Sequence, residues 1–183
     1  MVVLVAHAST HGSTREIAER LAARLCEQGL PAQCWPVAEV MDQAGLAAYD
    51  AFVVGSAIHG GDWLPEGASF LSRNREVLAA HPVWLFSVST VGEGSSAFPP
   101  RVARRMRGLM RVPQAVTAIQ AEVRPRDHHA FAGVIHRGDW GLSGRVFLRT
   151  FGGRFGDHRD WQEIDGWAMT IAGELRPGLR RRA

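Results

Sequence analysis

Short, β-rich apolar runs alternate along this chain with longer segments of helical periodicity, and that alternation limits the fold more than any other feature. Val2–Ala6, Ala51–Ile58 and Val83–Ser89 are continuous runs, the pattern of strands covered on both faces. From Ser13 the period changes: Ile17, Leu21 and Leu25 stand at i, i+4 and i+8, with Ala18 and Ala22 beside them, as on one stripe of a helix. Ser13-Thr14-Arg15-Glu16 reads as a capping box that opens this helix, and Gly29 as its stop. Ala32–Val37 is a weaker strand, which Pro36 assigns to a sheet edge. A helix over Pro65–Leu78, closed by Pro82, joins the next two strands. Strands joined by helices pair in parallel through right-handed crossovers. The expected fold is therefore α/β, a doubly wound parallel sheet with helices on both faces.

The second half is read the same way. Phe98–Met110 is helical with Val102, Met106 and Leu109 on one side, and Pro113 opens a short helix through Glu122. Ala130–Ile135 is the expected last strand. Asp139 caps a helix to Phe151 whose Leu142, Val146, Phe147 and Phe151 share one face, read as core packing, with a helix resting on a membrane surface, Arg145 and Arg149 opposite that face, as the alternative. Trp161, Ile164, Trp167, Ala168 and Ile171 make the closing helix amphipathic. A length of 183 residues suits a single domain, expected over 1–175, with a basic tail over 176–183. No stretch approaches the roughly 18 apolar residues that span a bilayer. Met1-Val-Val-Leu-Val-Ala reads as a first strand rather than a leader, so a cytoplasmic protein is expected. Cys26 and Cys34 are too few for a disulfide framework, and both are expected in the core.

Charge is unevenly spread. Residues 1–100 carry 5 Arg against 10 acids, whereas residues 101–154 carry 11 Arg against 3 acids, and Lys is absent throughout. The basic segment reads either as a solvated surface or as a positive face for an anionic ligand, a partner or a membrane surface, including the inner membrane face. No nucleic-acid recognition motif accompanies it. His128-His129 beside Asp127 has no second ligand pair, so no metal site is expected. No nucleophile motif supports a Ser-His-Asp or Cys-His arrangement, and no catalytic residue is assigned.

In such a sheet ligands bind beyond the carboxyl ends of the strands, where the strand order reverses. Three loops fall there. Ser9-Thr10-His11-Gly12-Ser13-Thr14 joins hydroxyl side chains to the free N–H groups of a helix start, a phosphate cradle. It is neither a Walker loop nor G-x-G-x-x-G, and its lack of Lys and Arg suits an enclosed phosphate monoester. The second loop is Gly55-Ser-Ala-Ile-His-Gly-Gly-Asp-Trp63, and the third is Ser89-Thr90-Val91-Gly92-Glu93-Gly94.

The first loop resembles the S/T-x-T-G-x-T phosphate loop of flavodoxins, with His11 where Thr is usual. The stretch Ser9–Ala18, ending Gly-Ser-Thr-Arg-Glu-Ile-Ala, is closer to the bacterial menaquinone-dependent protoporphyrinogen IX dehydrogenases of the same superfamily. Phe86-Ser87-Val88, Phe131–Ile135, Arg145–Gly153 and Asp160-Trp161 are similar to further segments of that family. The resemblance implies a five-stranded sheet of order 2-1-3-4-5 and an FMN cofactor. It places the phosphate at Ser9, Thr10, His11, Gly12, Ser13 and Thr14, and the flavin edge along Ala57, Ile58, His59 and Gly60. Trp63 becomes a stacking ring, and Ser89, Thr90, Val91 and Gly92 meet the pyrimidine edge. It also implies an oxidoreductase that moves electrons to a quinone or a redox partner protein. A flavodoxin-type carrier without its own substrate, or a domain that has lost FMN, are the alternatives. His59 and Gly60 replace the family's Arg-Tyr pair, and Gly92–Pro100 lacks its long basic loop. Those departures touch the porphyrin substrate and leave the FMN reading alone.

Overall fold

The computed structural model describes residues 1–40, 43–138 and 141–176. The first half runs β1 (Val3–Ala8), α1 (Ser13–Glu27), β2 (Ala32–Pro36), α2 (Gln43–Leu46), β3 (Ala51–His59), β4 (Asp62–Trp63), α3 (Pro65–Arg73), α4 (Arg75–Ala79) and β5 (Val83–Ser89). The second half adds α5 (Pro100–Leu109), α6 (Gln114–Val123), β6 (Asp127–Ala132), β7 (Val134–Ile135), α7 (Leu142–Thr150), β8 (Gly156–Asp157) and α8 (Trp161–Leu175). The long strands lie in the order β2-β1-β3-β5-β6, and every pairing between them is parallel. This is the expected 2-1-3-4-5 order, with β4 added as a short antiparallel strand on β3.

Two helical layers explain why the strands read as unbroken apolar runs. Val3 and Val5 of β1 pack with Ile17, Leu21 and Leu25 of α1 and with Ile164 and Ile171 of α8. Leu4 and Ala6 point the other way, to Leu71 of α3, Leu78 of α4 and Ile119 of α6. Ile17, Leu21 and Leu25 are wholly buried, each contributing about 1.5–3 kcal/mol of apolar burial. Gly29, at φ 71°, ends α1 as expected, its N–H bonding the Cys26 carbonyl at 2.7 Å. Arg20 of α1 grips Asp165 of α8 through Nε at 2.7 Å and Nη2 at 2.8 Å. With Arg24 on the same carboxylate, that acid is held well below the usual carboxylate range.

Several boundaries depart from the sequence reading. The helix expected over 65–78 breaks at Asn74, whose Nδ2 donates to the Phe70 carbonyl at 2.9 Å and so occupies a helical acceptor. The last sheet strand starts at Asp127, and Gly133 separates it from β7, which turns away to pair with β8. Asp139 lies outside the described residues, and α7 starts at Leu142 after Gly141. Its apolar face is not core: Leu142 is 79% exposed, and Val146, Phe147 and Phe151 are exposed too. Only Leu148 is buried, in a small separate core with Val91, Ala97, Phe98 and Ile135. Cys26 is also exposed, its Sγ accepting from the Ala32 N–H at 3.3 Å, while Cys34 is partly buried and its thiol pushed up to about 12 by burial. Among the described residues no helix is long and apolar enough to cross a membrane.

The tightest packing inside the sheet is at Gly55, where a Cβ would lie 2.0 Å from the Phe86 ring. Phe86 is itself edge-on to Phe131 and Trp167 and has no room to retreat. Gly55→Ala is expected to lower stability by about 1–3 kcal/mol, as overpacking does; a urea midpoint equal to that of the parent protein would refute this account.

Candidate functional site

A cleft of about 590 Å³ opens at the carboxyl ends of β1, β3 and β5. It sits where the winding reverses, since the chain leaves β1 towards β2 on one side and returns through β3 on the other. Ser9, Thr10, His11, Ser13 and Thr14 line it from the first loop, Ala57, Ile58, His59 and Gly60 from the second, and Ser89 and Thr90 from the third. The described lining holds no Asp, Glu, Lys or Arg.

The first loop is shaped by Gly12 at φ 90°, which caps α1 in a left-handed conformation. A Cβ there would meet nothing nearer than 3.8 Å, so backbone angle and not space demands glycine. The Ser9 hydroxyl accepts from the Gly12 N–H at 3.2 Å. The expected capping box does not form. Gly12 holds the cap position, and the Ser13 hydroxyl instead accepts from the Val134 N–H at 3.1 Å, tying α1 to β7. Thr14 is almost wholly buried beneath the loop. The first N–H groups of a helix have no intrahelical partner, so the start of α1 presents donors to the cleft beside these hydroxyls. Next to it the sequence reading missed His7, which is buried with Nδ1 unpartnered among the described residues. Burial, then the charge of Arg15, pushes its pKa down.

The second loop is a two-residue hairpin. Gly60 and Gly61 both have positive φ, and Ile58 pairs with Trp63 across them. This geometry corrects the role expected for Trp63. The hairpin folds the ring back beneath the loop, where it is 4% exposed and absent from the cleft lining. Its Nε1 donates to Ser87 Oγ at 2.8 Å, and that hydroxyl lies 2.8 Å from His128 Nε2. The Gly-Gly dipeptide was the available signal, since two glycines between β-rich segments mark such a turn.

The third loop divides in the same way. Ser89 and Thr90 face the cleft, but Val91 is buried in the small core, and Gly92 lies against β6, where a Cβ would come within 2.3 Å of the Ala132 nitrogen. Gly12, Trp63, Val91 and Gly92 thus shape the site from behind. The unforeseen wall is formed by Gly133, Val134 and Ile135, with Gly141 and Gly144 beside α7. Leu64 and Val88 add apolar surface.

A clamp holds the third loop. His129 Nε2 lies 2.9 Å from Glu163 of α8 and Nδ1 lies 3.5 Å from Glu93, while the Gly94 N–H donates to Glu163 at 2.9 Å. Burial alone disfavours the charged imidazole. The hydrogen bond to Glu163 and the charges of Glu93, Glu163 and Asp127 outweigh it, so the pKa lies above the ordinary 6.5.

An open parallel α/β sheet with a hydroxyl-rich loop at its switch point is the setting in which α/β domains bind phosphate-bearing cofactors. The flavodoxin-domain family model matches residues 4–150, and the chain belongs to that family. FMN is the cofactor that this membership brings. No curated protein matches by sequence. Among solved structures the chain is similar to rubredoxin oxygen:oxidoreductase of Desulfovibrio gigas, with 16% identity and a TM-score of 0.60 over 97% of this chain. It spans only 37% of that protein's length. It is also similar to oxidised flavodoxin 2 of Bacillus cereus, with 17% identity and a TM-score of 0.60 over 95% of this chain and 99% of that one. An archaeal flavodoxin gives 17% identity and a TM-score of 0.53 over 96% and 99%. At such identities these likenesses establish the fold.

Two outcomes test this geometry. A raised histidine pKa adds stability that is complete below the unfolded value and is lost as pH rises through the folded one. The melting-temperature gap between the parent protein and His129→Gln should therefore narrow as pH climbs from 6 upward; a gap constant with pH would remove the clamp. Trp63→Phe should lower stability by about 1 kcal/mol, the worth of one hydrogen bond, yet leave FMN affinity unchanged in a fluorescence titration. A strong loss of affinity would return the ring to the flavin.

Proposed function

We propose that this chain is an FMN-dependent oxidoreductase domain that passes electrons from a substrate to a separate acceptor, a quinone or a redox partner protein. The carrying observation is the uncharged, hydroxyl-lined cradle at the start of α1, opening into a cleft at the switch point. In this reading the Ser9, Thr10, Ser13 and Thr14 hydroxyls and the N–H groups of α1 hold the phosphate. The Ala57–Gly60 backbone runs along the ring, and Ser89 and Thr90 bond its polar edge. Leu64, Val88 and Ile135 exclude water from its apolar part. FMN supplies, when bound, a ring that takes up and releases electrons, and the protein orients it and tunes its potential.

The resemblance to the menaquinone-dependent protoporphyrinogen dehydrogenases makes a reduced porphyrin the first substrate to try, with menadione as acceptor. A second reading, an electron carrier with no substrate of its own, is favoured by the match over nearly the full length of a flavodoxin. A sequence pI near 9.6 sets the chain apart from acidic carriers. Turnover of protoporphyrinogen selects the first reading, and its absence from a flavin-loaded protein selects the carrier.

Thr14→Ala and Gly12→Val should each weaken FMN binding by about tenfold or more, the scale of a lost hydrogen bond to a charged group. Flavin titration with melting temperatures recorded in parallel checks this, and parent-like affinity in both folded variants would dismiss the phosphate loop. Visible absorption of the purified protein before and after adding FMN is the direct assay of the cofactor.

A further inference from the structure

We propose that the cleft on the outer flank of α7 is a second binding site, for the phosphate group of an anionic ligand. The cleft measures about 560 Å³ and is lined by Arg137, Arg145, Arg149 and Arg154, with Leu148 and Phe155 as its apolar surface. The local backbone brings Arg154 back beside α7. After α7 the chain reverses at Gly152, at φ 69°, and the Gly153 N–H bonds the Leu148 carbonyl at 2.7 Å. A Cβ on Gly153 would come within 2.6 Å of Leu148 and 2.8 Å of Phe98, so only glycine closes this corner. The Arg154 N–H then bonds the Ala97 carbonyl at 2.9 Å, anchoring its backbone beside α7. The β7–β8 pairing brings Phe155 to Arg137, whose guanidinium stands 5.8 Å from the ring centre.

Several arginines elsewhere are held by acids. Arg20 and Arg24 share Asp165, Arg126 pairs with Glu174, and Arg159 pairs with Asp157 and Glu16. Among the described residues no carboxylate lines the α7 cleft, and Arg137, Arg149 and Arg154 form no ion pair. The guanidinium groups of Arg137, Arg149 and Arg154, gathered without an acid among the described residues, repel one another, and an oxyanion relieves that repulsion. Their planar forks match phosphate oxygens two at a time. Leu142 and Val146, highly exposed on α7, stand at helical spacing beside Arg145 and Arg149. The ligand therefore carries an apolar part next to its phosphate. Two sources share that chemistry, a phospholipid headgroup and a soluble phosphorylated compound. Gly144 of the same helix lines the main cleft, so an occupant lies one helix away from the cofactor.

The site is independent of the cofactor reading, and flavin absorbance recorded on the same samples reports on the main cleft separately. Calorimetric titration with inorganic pyrophosphate, and sedimentation with phosphatidylglycerol or phosphatidylcholine vesicles, are done on the parent protein, on R149Q/R154Q and on R104Q/R105Q. The last pair removes the same charge from exposed positions on α5, outside the cleft. Saturable pyrophosphate binding assigns a soluble phosphate ligand. Binding to phosphatidylglycerol vesicles alone assigns the headgroup. In either case R149Q/R154Q should weaken binding by about tenfold or more, given the strength of charge-assisted hydrogen bonds, and R104Q/R105Q should not. No binding to either probe, or equal losses in both variants, overturns the proposal.

Discussion

The parallel pairing of β1 with β3, from Val3 opposite Ala51 to Ala8 opposite Ser56, is the contact on which the rest of the molecule depends. It is the place where winding changes direction, so α1 after β1 and α3 after β3 leave for opposite faces. The loops that feed them diverge, and a crevice opens that no side chain from either layer can fill. Gly55 leaves room for the Phe86 ring of the neighbouring strand β5, and Gly67 lets α3 approach Ser56 and Ala8, where a Cβ would sit 3.0–3.2 Å from them. The cradle of α1 is thus positioned by close packing well below it.

Arginine in the basic middle segment does several different things. Arg107 of α5 donates to the Gly92 carbonyl at 2.7 Å and so braces the third loop. Arg126 stands over the Trp84 ring at 5.1 Å, covering the end of the core. Four arginines around α7 line a cleft. A count of charges along the sequence merges these roles, because it registers neither partner nor direction.

The sheet order and both helical layers were legible in the sequence because two-sided burial leaves a direct trace, an apolar run such as Val2–Ala6 beside the stripe Ile17, Leu21, Leu25. The front of the cleft was legible for a similar reason, since a run of hydroxyls before a helix exceeds what a single cap requires. Its back was not. Gly12 and Gly92 serve through backbone angle and close approach, which composition does not separate from presence in the lining. Trp63 looked free to stack only while Gly60-Gly61 was treated as plain loop rather than as a hairpin that turns the ring inward. The α7 stripe has helical spacing, but spacing does not reveal whether anything lies against it. The small core under Leu148 draws on residues from 91 to 148, a separation at which periodicity carries no information.

Adjacent histidines on β6 meet opposite conditions. His128, opposite Leu85, reaches Ser87 on one face, and burial pushes its pKa down. His129, opposite Phe86, reaches two glutamates on the other face and is driven towards its cation. Strand β6 ends the sheet and has a long partner on one side only, so hydrogen bonding by itself would tolerate sliding. A shift by one residue exchanges the faces: it would take His128 away from Ser87 and His129 away from its two carboxylates. The two histidines therefore add a polar check to the register that the buried Phe131 already sets at this edge.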